Sequence, residues 1–124
     1  MTVLALVSDL FFGSKVAATA RAHGIDYRGA RSCEAMRNPE LTPSLVIVDL
    51  EAELPDGDAV DTVSDALRRE PRPFVVAFAG HLLADRLEAA RVAGADLVLT
   101  KGGFTGRLEA MMAAAASGRL PVEP

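Results

Sequence analysis

The chain has 124 residues, half of them hydrophobic, with a formal net charge of −4 and a single cysteine, Cys33. That length supports one domain around one core. The acidic balance without a basic run argues against an autonomous nucleic-acid binder, the apolar strings are far too short for a membrane span, and one cysteine rules out an intrachain disulfide or a cysteine metal cluster.

Residues 1–7 carry no basic leader, and Ser8-Asp9 soon interrupts them, which makes a poor signal peptide and points to a cytoplasmic protein. The first strand is expected over 3–7, followed by a helix over 14–22 that Gly24 stops. A weak second strand covers 25–30, and Ser32 is placed to cap a short helix through Met36. Asn38-Pro39 and Pro43 mark a loop before the strongest strand, 45–48. Pro55-Asp56-Gly57 is a turn signature. The stretch 58–69 reads as a helix, with Val60, Val63, Ala66 and Leu67 on one face. A fourth strand is expected over 74–78 and a helix over 82–93, with Leu83, Leu87, Ala90 and Val92 inward. A fifth strand covers 97–99 and a last helix 105–116, which Ser117-Gly118 ends. The domain is bounded at 1–119, with 120–124 as a short frayed tail.

Strands alternating with helices imply an α/β sandwich with right-handed crossovers around a parallel five-stranded sheet. In the flavodoxin-like order 2-1-3-4-5, the first and third strands meet at the switch point, and ligands bind beyond their carboxyl ends. Asp9 and Asp49 follow those two strands, and Lys101 follows the fifth. Two carboxylates and one ammonium are therefore expected at one edge, a set suited to a divalent cation and a phosphoryl group.

With those residues in place, the chain resembles the receiver domains of bacterial response regulators. The resemblance rests on Leu-Val-Ser-Asp at 6–9, Val-Ile-Val-Asp-Leu at 46–50, Asp56-Gly57, and Gly-Ala-Asp-Leu-Val-Leu-Thr-Lys at 94–101, and it covers nearly the whole length. It implies that Asp49 accepts a phosphoryl group, that Lys101 contacts the phosphoryl oxygens, and that Asp9, Asp49 and the Glu51 backbone carbonyl hold Mg2+. It also implies a histidine kinase or another signalling protein as partner, with a homodimer among the allowed assemblies. No enzymatic activity is implied beyond self-catalysed phosphoryl acceptance and autodephosphorylation.

The departures from the family pattern are equally specific. Ser8 stands where a second acid is usual, Ala79 where a Ser or Thr ends the fourth strand, Val98 where a Tyr or Phe lies in the fifth, and Gly102 where Pro often follows the lysine. An alternative is therefore a pseudo-receiver that works through protein contacts without phosphorylation. A small-molecule or nucleotide binder is a third reading, disfavoured because Ser8 to Lys15 contains one glycine and no phosphate-binding fingerprint.

The stretch Asp9-Leu-Phe-Phe-Gly-Ser-Lys15 looks like a motif of small uncharacterised bacterial receiver-like proteins. Leu10, Phe11 and Phe12 fit either core packing with a helix start or an apolar partner surface beside the site. His23 and His81 read as a helix-end residue and a loop residue. Gly102-Gly103 reads as a flexible turn, and Asp56, Asp58 and Asp61 as a solvated loop and helix start. Met111 and Met112 read as packing residues.

Overall fold

The computed structural model describes residues 1–120. In chain order the elements are β1 (Thr2–Leu6), α1 (Leu10–Ala22), β2 (Asp26–Ala30), α2 (Cys33–Met36), β3 (Leu45–Asp49), β4 (Glu53–Leu54), β5 (Gly57–Asp58), α3 (Ala59–Leu67), β6 (Phe74–Ala79), α4 (Ala84–Ala93), β7 (Leu97–Thr100) and α5 (Lys101–Ala116). Five strands form a parallel sheet in the order β2-β1-β3-β6-β7. Counting only these strands, the order is the flavodoxin-like 2-1-3-4-5. The Pro55-Asp56 turn belongs to a separate two-stranded hairpin, β4–β5, appended after β3.

β3 is central and buried at all five positions, which is why its sequence is a continuous apolar run. Alternate residues point to opposite faces. Val46 and Val48 pack with Val63 and Ala66 of α3 and Leu87 of α4. Leu45 and Ile47 pack with Val16 of α1 and Phe104, Leu108 and Met111 of α5. Two layers of helices thus clamp the sheet and leave its carboxyl edge open. Met112 is buried like Met111.

The two helices that flank the site start four residues earlier than the sequence pattern predicts. α1 begins at Leu10 because the Asp9 carboxylate accepts the Phe12 N–H at 2.9 Å, the geometry of an N-cap. α5 begins at Lys101 because the Thr100 hydroxyl oxygen accepts the Gly103 N–H at 3.1 Å, so Gly102 and Gly103 form a first helical turn rather than a flexible loop. On α4, Leu87 and Ala90 are buried as expected, whereas Val92 is 81% exposed and Leu83 is partly exposed at the N-cap position. Gly94 ends that helix at φ +104°, the left-handed conformation that a C-cap favours. Leu120 packs against the α1/α5 core layer, and 121–124 lie outside the described residues.

The acidic residues of the hairpin are exposed, as expected, and also serve as structural ligands. Asp56 accepts the N–H groups of Cys33 and Glu34 at 2.8 and 3.0 Å and so caps α2 from across the chain. Those backbone bonds hold its carboxyl below the ordinary range, while burial, with Asp56 nearby, pushes the Cys33 thiol up. Asp58 caps α3 through Val60 N–H and takes a two-pronged ion pair from Arg86 at 3.0 and 2.9 Å. Arg86 also donates to the Leu50 carbonyl, at 3.1 and 2.6 Å. α4, the hairpin and the chain just beyond Asp49 are thereby tied together.

Candidate functional site

Asp49 is the last residue of β3 and is 5% exposed, one of two buried polar side chains among the described residues. A carboxylate there must be hydrogen-bonded. Its Oδ2 accepts the Ser8 hydroxyl at 2.6 Å and the Ser8 N–H at 3.1 Å, and its Oδ1 accepts the Glu51 N–H at 3.0 Å. β1 and β3 are paired, Leu6 opposite Val48, so the chain leaving β1 carries Ser8 over the carboxylate. Ser8 was legible only as a missing acid, and its role as a ligand of Asp49 emerges from this crossing.

Asp9, the next residue, faces outward. Its Oδ1 caps α1 and its Oδ2 lies 3.9 Å from Lys101 Nζ. Lys101 therefore pairs with Asp9, and among the described residues no cation pairs with Asp49. Both partners are about half exposed, with side-chain exposures of 47% and 48%, so this pair contributes under about 1 kcal/mol and releases Lys101 cheaply. The ammonium also lies 4.9 Å from the centre of the Phe12 ring.

Phe12 is part of the framework. Its ring meets Phe78 and Phe104 edge-on at 5.5 and 5.7 Å, and those two stack at 4.5 Å. Leu10 and Phe11 are 70% and 87% exposed. The expected apolar trio is thus split into two exposed residues and one packed one. The Glu51 side chain accepts the Gly80 N–H at 2.9 Å and bridges β3 to the turn after Ala79. No sequence signal announced that bridge. His81 is exposed in that turn, and His23 contacts Glu109 at 2.6 Å across α1 and α5.

Asp9 Oδ2, Asp49 Oδ1 and the Glu51 carbonyl are the oxygens at this edge with acceptor capacity to spare. Two carboxylates and a carbonyl, completed by water, fit the hard-oxygen preference of Mg2+. They form a sparse set, since no three His, Cys, Asp or Glu side chains are grouped to hold a metal among the described residues.

No protein-family model matches the sequence, and no curated protein matches it. Solved structures do. The beryllofluoride-activated NtrC4 receiver-domain dimer superposes with a TM-score of 0.74 at 22% identity, over 95% of this chain and 98% of that one. The chain has the receiver-domain fold. A Burkholderia pseudomallei response regulator carrying a phosphorylated aspartic acid and a calcium ion matches with a TM-score of 0.74 at 18% identity, over 94% of this chain and 69% of that one. The receiver domain of the Francisella response regulator 1452 matches at 0.72 with 16% identity, over 94% and 97%. Within the receiver fold of this chain, Ala79 is fully buried and offers no hydroxyl at the end of β6, and Val98 is half-buried opposite Ala77 in β7. Among the described residues, no helix is long and apolar enough to cross a membrane.

Proposed function

We propose that this protein is a receiver-type signalling module, acting through other proteins, whose Asp49 accepts a phosphoryl group. The observation that carries this reading is a buried carboxylate at the switch point of the sheet, with Asp9 and a loosely held Lys101 on the adjoining chain. Asp49 supplies the nucleophilic oxygen. A P–O bond forms to the carboxylate as the bond from phosphorus to the donor's imidazole nitrogen or acetate oxygen breaks, and the electron pair leaves with that group. Ser8 must first give up its hydroxyl bond if Oδ2 is to react. Lys101 leaves Asp9 and neutralises the incoming phosphoryl oxygens. Mg2+, when bound by Asp9, Asp49 and the Glu51 carbonyl, would supply further charge neutralisation. A histidine kinase or small phosphodonor is the matching source, the protein does not turn over a substrate, and a homodimer is one available assembly. We place it in the cytoplasm.

A second reading is favoured by one observation, the 2.6 Å bond from the Ser8 hydroxyl that occupies Asp49 Oδ2. In it, Asp49 is a structural acceptor and the module signals by contacts alone, with Leu10 and Phe11 as its exposed apolar residues. Intact mass after incubation with Mg2+ and acetyl phosphate decides between them. A phosphoryl-sized gain that Asp49→Asn abolishes supports the first reading. No gain in the wild type supports the second.

A further inference from the structure

A hollow lies on the α1 face of the sheet, over the edge strand β2. Its floor is Ala5 and Gly29, which are paired across β1 and β2, and its helix wall is Gly13 and Ala17 of α1. These small residues leave a groove of about 730 Å³, within the roughly 300–1,000 Å³ of small-molecule sites. Packing does not require either glycine. A Cβ at Gly13 would meet only Val7, at 3.7 Å, and one at Gly29 only the Tyr27 ring, at 3.6 Å; neither glycine has a positive φ.

Two exposed arginines line the groove. Elsewhere Arg28, Arg37, Arg68, Arg72, Arg86 and Arg91 are matched to carboxylates, Arg69 to three carbonyls and Arg119 to the Ser117 hydroxyl, while Arg107 has one buried nitrogen without a partner. Arg21 and Arg31 make no side-chain hydrogen bond among the described residues, and both line this groove. Arg21 stands at the Tyr27 end. Burial there pushes the phenol up, and the Arg21 charge works against that rise. Arg31 borders the other end, which Glu53 and Asp9 share.

We infer that this groove binds a nucleotide-sized organic anion, with a phosphomonoester at Arg21 and the Tyr27 hydroxyl and a flat apolar body over Ala5 and Gly29. A free guanidinium beside a phenol offers several donors to a tetrahedral oxyanion. Arg31 and Glu53 supply a donor and an acceptor for polar groups at the far end. Recognition here uses side chains and not a glycine-rich loop at a helix start, so the absent phosphate fingerprint does not count against it. The groove reaches Ser8 and Asp9 at its far end, but Asp49 does not line it, so the assignment does not rest on phosphoryl transfer to Asp49.

The test is amide NMR titration of the full chain with adenosine 5′-monophosphate and, separately, flavin mononucleotide. Saturable shifts at Gly13, Ala17 and Gly29 are expected with at least one of them. Arg21→Gln should weaken binding about tenfold or more, and Gly29→Val, which fills the floor at a strand position, should abolish it while peak dispersion is retained. Asp49→Asn should bind as the wild type does, which separates this site from the proposed phosphoryl acceptor. No saturable shift with either probe, shifts centred elsewhere, or undiminished binding by Arg21→Gln would overturn the assignment.

Discussion

Ser8→Ala removes one hydroxyl from the receiver site and should move two observables in opposite senses. The hydroxyl donates to the buried Asp49 carboxylate at 2.6 Å, while the Ser8 N–H, at 3.1 Å, survives the substitution. A hydrogen bond to a charged group is worth about 1.5–3 kcal/mol. Ser8 is exposed, so water can replace part of the bond, and the lower end, about 1.5 kcal/mol, applies. For a domain of this size that lowers Tm by about 4–8 °C. In the proposed reaction the same bond must break before Oδ2 attacks phosphorus, so its removal is expected to lower that barrier by a similar amount, about tenfold in rate. Calorimetry and time-resolved intact mass with acetyl phosphate measure the two effects. A variant that is less stable yet labels no faster would refute the argument that Ser8 restrains a nucleophile.

Three further outcomes test the framework. Phe12→Ala should cost about 3–4 kcal/mol by opening the Phe12/Phe78/Phe104 cluster, whereas Phe11→Ala, at an 87% exposed position, should stay within about 0.5 kcal/mol; denaturant midpoints separate them. The bonds from Arg86, followed by the Val60 N–H, hold the Asp58 carboxyl below its ordinary 3.8. Folded Asp58 therefore binds a proton less readily than unfolded Asp58, so its contribution is present above pH 3.8 and drains as pH falls through the depressed value. The urea midpoint of the wild type should therefore be lower at about pH 3 than at about pH 5, and Asp58→Asn should shrink that drop; an equal drop in the variant would refute the coupling. Gly94→Ala should destabilise by about 1 kcal/mol, because φ is +104° there and a Cβ would meet Leu67 Cδ1 at 3.2 Å; thermal unfolding reads it.

The sheet was legible because its three central strands are buried on both faces, and that burial writes continuous apolar runs such as 45–48 into the chain. Turn chemistry and helix stops then spaced the elements, and the crossover rule left few orders to choose from. Helix starts at the site were less legible. Leu-Phe-Phe-Gly and Lys-Gly-Gly-Phe have poor helical patterning, and what makes them helical is a cap from Asp9 and from Thr100. That Asp9, Asp49 and Lys101 lie at one edge of the sheet was legible, but their partners were not. Lys101 pairs with Asp9, and Ser8 serves Asp49, because hydrogen-bond partners depend on side-chain directions that strand order alone does not specify. The capping role of Asp56 and the ion pair of Asp58 with Arg86 were hidden for the same reason, since both depend on groups more than twenty residues away.

The Asp9 carboxylate is a shared hinge pin. One oxygen holds the first turn of α1 and the other faces the first residue of α5, so a single side chain is attached to the beginnings of two helices that otherwise meet along their sides. Any ligand that claims this carboxylate draws on both attachments at once. The exposed Leu10 and Phe11 ride on the first, and the Lys101 ammonium on the second. An exposed oily knob and a positive charge are thus anchored through the two oxygens of one carboxylate.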